Sequence, residues 1–196
     1  MSAAAGQGLP DTTRSIGESE LFELIRDRSF RRGKFTLASG LESEMYFNLK
    51  PTMMFPRGAR LAAGAFLECI RAEGVDLVGG LEMGAVPLMG SLAAISEMEG
   101  RPVRTFFVRK KPKQHGTREL IEGLGPGETL SGSRALILDD VATTGGSILD
   151  AARAARDAGA SVNAGLVLID REEGAADNLE REGMRLLSVF RGRDFL

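Results

Sequence analysis

From Val75 onward, short and largely apolar runs alternate with stretches of helical periodicity, and glycine or proline marks most of the changes. The runs are Val75 to Val78, VRTFFV at 103–108, ALILDD at 135–140, Ser161 to Ile169 and MRLLSVF at 184–190. Helices are predicted over about 86–98, from Ser147 to Ala158, and within the polar stretch REEGAADNLEREG at 171–183. A strand that is apolar along its whole length must be covered on both faces. Alternating such strands with helices predicts an α/β fold with a mostly parallel central sheet flanked by helices. Ligands of such sheets bind at the carboxyl ends of the strands, so the segments that follow each run are where chemistry is expected.

Before the alternation, Ser15 and Glu18 form a capping box for a first helix whose apolar face is Leu21, Phe22, Leu24 and Ile25. Gly33 to Asn48 reads as two strands about a turn at Ser39-Gly40, and 57–72 as an Ala-rich helix ended by Gly74. Residues 1–16 are small and polar and are expected to be flexible, leaving 17–196 as a single domain. They lack the basic patch and apolar core of a signal peptide. A net charge of −2 argues against general nucleic-acid binding, and no apolar run approaches the roughly 20 residues of a membrane helix. The one cysteine, Cys69, cannot form an internal disulfide and falls in a helical stretch, which suits a core position and a cytoplasmic setting.

The segment ALILDDVATTGGSILDA, residues 135–151, is the most informative. A helix N-terminus presents unpaired N–H groups and partial positive charge, which suit a phosphate. Gly145 and Gly146 let backbone approach it closely, and Thr143, Thr144 and Ser147 add hydroxyl donors. Asp139 and Asp140, at the strand end just before this cradle, can accept hydrogen bonds from sugar hydroxyls. A phosphate next to a diol describes a ribose 5-phosphate. The segment is neither a Walker loop, since no GK[ST] follows, nor a dinucleotide fingerprint, since its acids precede its glycines.

This segment resembles the phosphoribosyl pyrophosphate (PRPP) signature of the type I phosphoribosyltransferases. That resemblance implies that Asp139 and Asp140 bind the ribose hydroxyls and that the loop through Val141, Ala142, Thr143, Thr144, Gly145, Gly146 and Ser147 holds the 5-phosphate. A narrower match follows at 109–117, RKKPKQHGT. Its R-K-x-x-K-x-H-G spacing resembles the catalytic loop of orotate phosphoribosyltransferases, a mobile loop that in that family reaches the active site of the dimer partner. The resemblance implies that Arg109, Lys110, Lys113 and His115 contact pyrophosphate, with Lys113, His115 and Asp140 as the catalytic candidates. A cationic lid over a departing diphosphate is sound chemistry: it stabilises the leaving charge and keeps water from an oxocarbenium-like sugar carbon.

FTLASGLESEMYFN, 35–48, resembles the hairpin that hoods the base in that family, so the hood is expected over about 17–50 and 171–196. Tyr46 and Phe47 would then lie around the pyrimidine, or simply pack the hairpin. Arg171 matches a strand-end arginine that contacts orotate; an ion pair with Glu172 or Glu173 is the alternative. Thr143 is likewise implied in orotate binding. The turn GGLEMGAVP, 79–87, stands where the family binds pyrophosphate through backbone amides. Some relatives carry lysine where Ala38 and Met83 stand here, and Lys50 is nearby without an assigned role. The resemblance further implies a homodimer and Mg2+ carried by the substrate without direct protein ligands. Two other readings remain at this point. A purine phosphoribosyltransferase would usually place an acid at Thr143 and lack the RKxxKxHG lid. A PRPP-sensing regulator would add a nucleic-acid-binding element, for which the chain shows neither an appended domain nor a broad basic face.

Overall fold

The computed structural model describes residues 16–36, 42–111 and 120–196. Its centre is a five-stranded sheet of order β4-β3-β7-β8-β9, with every pairing parallel. These strands are β3 (Leu77–Gly79), β4 (Arg104–Thr105), β7 (Arg134–Ala142), β8 (Ser161–Asp170) and β9 (Arg185–Arg191). Successive residues of β7 serve opposite faces. Leu136 and Leu138 join the apolar layer that also holds Leu61, Phe66 and Leu88, while Ala135 and Ile137 join the layer that holds Ile148, Ala151 and Ala155. Two apolar faces on one strand explain why its sequence shows a continuous run and no alternation. Each large side chain so buried contributes about 1.5–3 kcal/mol.

The first layer is built by α1 (Ile16–Arg28), α3 (Pro56–Glu73) and α4 (Val86–Met98). Helix α3 starts with Pro56 in its first turn and ends at Gly74, whose left-handed backbone (φ 60°) closes the last turn through an N–H bond to the Ile70 carbonyl. The second layer is built by α5 (Gly146–Asp157) and α6 (Ala175–Arg181). Helix α5 lies directly on β8: a Cβ added at Gly165 would stand 2.7 Å from Ile148 Cγ2. That contact fixes where the N-terminus of α5 meets the end of β7.

An antiparallel hairpin, β1 (Phe30–Thr36) with β2 (Glu42–Phe47), stands apart from the sheet, followed by the short α2 (Lys50–Met53). The first helix and the last turn of the described residues meet beneath it. Phe22 stacks on Phe195 at 4.4 Å, and Phe30 and Phe47 lie 5.0 Å apart and within 5.5 Å of the same Phe195 ring. Phe195 belongs to a 3-10 turn, Gly192–Phe195, after β9.

Four details differ from the sequence expectations. VRTFFV is not one strand: β4 joins the main sheet, whereas β5 (Phe107–Val108) pairs antiparallel with β6 (Ile121–Glu122). The break falls at Phe106, which is 1% exposed and turned into the second layer. Strand β7 continues through Asp139 and Asp140 to Ala142, because β8 pairs with it that far. The helix expected within 171–183 is only Ala175–Arg181, begun after the left-handed Gly174 (φ 96°). Helix α2 was not expected at all. Ser15 and the Ser39-Gly40 turn lie outside the described residues.

Candidate active site

The carboxyl end of β7 carries the acid pair, and its geometry is set by its own backbone. The N–H of Asp140 donates to Asp139 Oδ1 at 2.9 Å, and the N–H of Val141 donates to Asp140 Oδ1 at 2.9 Å. Asp139 is 8% exposed and Asp140 is half-buried. Burial pushes the Asp139 carboxyl up to about 7, and the neighbouring Asp140 charge adds to the effect. The Asp140 N–H and the charge of Lys50 act in the other direction. Both acids line an open cavity of about 460 Å3 together with Ser147. The acid pair therefore faces a space a ligand can enter.

Beyond the acids, the loop turns into α5 through Gly145, whose φ of 79° is a left-handed conformation that glycine adopts without strain. The Thr144 carbonyl accepts a 2.9 Å bond from Asn178 Nδ2, and the Ala142 carbonyl accepts one from the N–H of Arg171 at 3.0 Å. These tethers leave Thr144, Gly146 and Ser147 exposed and Thr143 half-buried, while Val141 is half-buried and Ala142 buried. No side chain caps α5 and no acid stands in its first turn, so its leading N–H groups and positive dipole end face outward. The arrangement is an anion cradle beside a pair of hydroxyl acceptors.

The facing wall is the turn after β3, with Glu82, Met83 and Gly84 on the same cavity. Its Glu82–Met83 peptide is cis. Glu82 ties this turn to the root of the basic loop: its N–H donates to the Val108 carbonyl at 2.8 Å, and its Oε1 accepts from the N–H of Lys110 at 2.9 Å. Lys110 lines the cavity. Arg109 points the other way, with Nε donating to the Lys111 carbonyl at 3.3 Å and its guanidinium 3.7 Å from Glu122. Lys113 and His115 lie outside the described residues, as does Ala38.

At the hairpin, strand alternation separates the two aromatic candidates. Tyr46 is 41% exposed and leans on Phe35 at 5.4 Å, whereas Phe47 is buried in the aromatic cluster. The ring of Phe47 thus holds the hairpin down, and that of Tyr46 is open to a planar ligand. Arg171, 7% exposed, bridges the sheet to the hairpin: its Nη2 donates to Glu173 Oε1 at 2.6 Å and to the Met45 carbonyl at 3.3 Å. The ion pair with Glu173 is therefore present, and the bond to the Met45 carbonyl brings the guanidinium to the hairpin.

Two residues at the cavity had no role in the sequence reading. Glu82 sits inside the quoted turn, but nothing local marks it as a clamp. Lys50 Nζ lies 4.0 Å from Asp140 Oδ2, a contact made across the fold by a helix too short to show periodicity.

Residues 54–182 match the family model of the phosphoribosyl transferase domain. The chain is 50% identical over 184 residues to the orotate phosphoribosyltransferase of Bradyrhizobium sp. strain BTAi1, spanning 94% of this chain and 100% of the relative. It is 39% identical to the orotate phosphoribosyltransferase of Aquifex aeolicus, over 92% of this chain and 98% of the relative. Among solved structures, Mycobacterium tuberculosis H37Rv orotate phosphoribosyltransferase in complex with PRPP superposes with a TM-score of 0.74 at 35% identity, covering 91% of this chain and 98% of that one. The acid pair, the anion cradle and the matches across nearly the whole length agree, and the chain belongs to the orotate phosphoribosyltransferases.

Proposed function

We infer that the cavity at the end of β7 is where this orotate phosphoribosyltransferase joins orotate to PRPP, giving orotidine 5′-monophosphate and pyrophosphate for pyrimidine nucleotide synthesis. The carrying observation is the acid pair opening onto the same cavity as Ser147 and Lys110. In this reading Asp139 and Asp140 accept the ribose hydroxyls. Thr143, Thr144, Gly145, Gly146 and Ser147 hold the 5-phosphate by N–H and hydroxyl donors, with Val141 and Ala142 carrying the strand into the loop. The bond from C1 of the sugar to the diphosphate oxygen breaks, and its electron pair leaves with pyrophosphate. N1 of orotate forms the new bond to C1 as its N–H bond breaks, and that proton passes to the departing pyrophosphate or to solvent.

Lys110, Lys113 and Arg109 stabilise the departing diphosphate, and His115 donates a hydrogen bond or proton to it. For Arg109 this requires exchanging Glu122 for the diphosphate. Tyr46 stacks on the pyrimidine, Phe47 anchors its strand, Thr143 borders the base, and Arg171 meets the orotate carboxylate from its place under the hairpin. In this reading a base hood, about 17–50 and 171–196, covers a single phosphoribosyltransferase domain.

The oxygen-rich wall formed by Asp139, Asp140 and Glu82 suits a hard cation. We propose that this ion is brought in on the donor. Mg2+ bound in that way would supply neutralisation of diphosphate charge, with Asp139 and Asp140 holding it through the ribose hydroxyls. We further propose a homodimer in which the basic loop beyond its root at Lys110 serves the partner's cavity, and a cytoplasmic location. No described helix is long and apolar enough to cross a membrane.

The test follows the loss of orotate absorbance with PRPP and Mg2+, beside a panel of purine and pyrimidine bases. Orotate is expected to be consumed selectively. Lys113→Ala is expected to lower turnover about a hundredfold or more with the fold intact. Near-normal turnover in that variant would reject its role, and preference for a purine would reject the base assignment.

A further inference from the structure

We propose that Lys50 is the standing cation of the donor site: it holds Asp140 before substrate arrives, then passes to the diphosphate and releases Asp140 to the sugar. The proposal rests on the reading of the cavity given above and names a residue that the loop motifs do not include.

Its backbone is fixed more firmly than that of an ordinary surface lysine. Leu49 and Thr52 are wholly buried, Met53 is 2% exposed, and the Thr52 and Ser29 hydroxyls share a buried 2.7 Å hydrogen bond. Helix α3 closes over α2 so tightly that a Cβ on Gly58 would overlap the Thr52 carbonyl. Lys50 follows Leu49 on this pinned segment, so the origin of its side chain is set. The side chain itself is 54% exposed. A flexible four-carbon stem on a fixed base lets the ammonium move between neighbouring anions without moving the backbone.

The charge pattern gives that freedom a purpose. The cavity holds three carboxylates, Asp139, Asp140 and Glu82, and must admit a polyanion. Met83, on the facing wall, is 61% exposed and carries no charge. Arg109 is turned toward Glu122. Among the described residues, the cationic side chains lining the cavity are Lys50 and Lys110. Lys110 lies at the root of the basic loop, whereas Lys50 stands on the packed body of the protein, 4.0 Å from Asp140 Oδ2. An exposed pair of this kind adds little to stability, so its value lies in where it puts charge. When the donor enters, its phosphoryl oxygens compete with Asp140 for the ammonium. Asp140 is then free to accept the ribose hydroxyl, and one lysine serves both states.

The experiment compares Lys50→Met and Lys50→Arg with the wild type in steady-state kinetics and in calorimetric titration with PRPP and with inorganic pyrophosphate. In Lys50→Met, the KM for PRPP and the dissociation constants for both anions are expected to rise about ten- to thirtyfold. The KM for orotate is expected to stay within about twofold and the melting temperature within about 2 °C. Lys50→Arg is expected to restore most of the anion affinity. Unchanged anion affinity in Lys50→Met would overturn the proposal. So would a parallel rise in both KM values with a fall in melting temperature that arginine does not repair, the mark of a merely structural residue. Titration needs no turnover. A wild type that bound PRPP but consumed no orotate would refute the base assignment, while the binding ratios would still decide the role of Lys50.

Discussion

At the end of β3, Gly79, Gly80 and Gly84 are all pressed against other parts of the protein, whereas Gly146, at the start of α5, looks onto open space. A Cβ at Gly79 would enter the Phe106 ring, one at Gly80 would overlap the Leu138 carbonyl, and one at Gly84 would strike the Asp139 carboxylate. At Gly146 the nearest atom to an added Cβ, Thr144 Oγ1, is 4.0 Å away. The two turns look alike in sequence, each rich in glycine after an apolar strand. One uses its glycines to bring protein against protein, so that the 82–84 wall can lie beside the acid pair. The other presses Gly145 against Leu179, where an added Cβ would stand 2.6 Å from Cδ1, and leaves room at Gly146 for something from outside. Glycine marks close approach, and only the neighbours say what is approaching.

Three substitutions test that contrast. Gly79→Ala is expected to have the largest effect, about 3 kcal/mol or more of lost stability in urea denaturation, because the Phe106 ring has nowhere to retreat. The fraction that still folds should keep its KM for PRPP. A loss below about 1 kcal/mol would show that the first turn is not packed as described.

Asp139→Asn comes next, with kcat/KM for PRPP expected to fall about a hundredfold, some 2.7 kcal/mol of lost transition-state stabilisation. The fold should respond in the opposite sense. Burial holds the Asp139 proton up to about 7 in the folded chain, while the unfolded carboxyl loses it near 3.8. Between those values the folded state binds more protons, so wild-type stability falls as pH rises through this window and levels off above it. Asparagine escapes that loss. Its melting temperature should exceed the wild-type value by a margin that grows from about pH 4 to about pH 7 and then holds. A margin that did not change with pH would mean that the acid is well solvated.

Gly146→Ala is the mildest. It should raise the KM for PRPP about tenfold, near 1.4 kcal/mol, and leave stability within about 0.5 kcal/mol. Equal loss of stability in Gly146→Ala and Gly79→Ala would erase the distinction.

The parts of the molecule that were legible in sequence are those whose signal is local. The run ALIL followed by DD and TTGGS announces a buried strand, an acid pair and a helix start within seventeen residues of chain, 135–151, and the structure brings them to one cavity. The parts that were not legible depend on distant partners. VRTFFV looks uniform, but its two halves belong to different sheets because Phe106 is drawn beneath Gly79. Helix α2, at four residues, has no periodicity to read and owes its position to Ser29, Leu24 and α3, so Lys50 could not be placed. For Arg171, sequence left orotate and the adjacent glutamates as rival partners. The structure shows Glu173 as its ion-pair partner and Met45 as the reason it reaches the hairpin. Tyr46 and Phe47 could be told apart only once the hairpin had a buried side.

The aromatic cluster has a consequence for how the chain is made. Phe22, Phe30 and Phe47 emerge from the ribosome long before Phe190 and Phe195, which cover them. Strands β3, β7 and β8 can pair before then, so a nascent chain already has its acid pair and the start of α5 in place while its hairpin still shows bare rings to solvent or to a chaperone. The acid-lined cavity and the anchored hairpin therefore form in order, and a polypeptide released before Phe190 would carry the acids and the start of α5 without a seated hairpin.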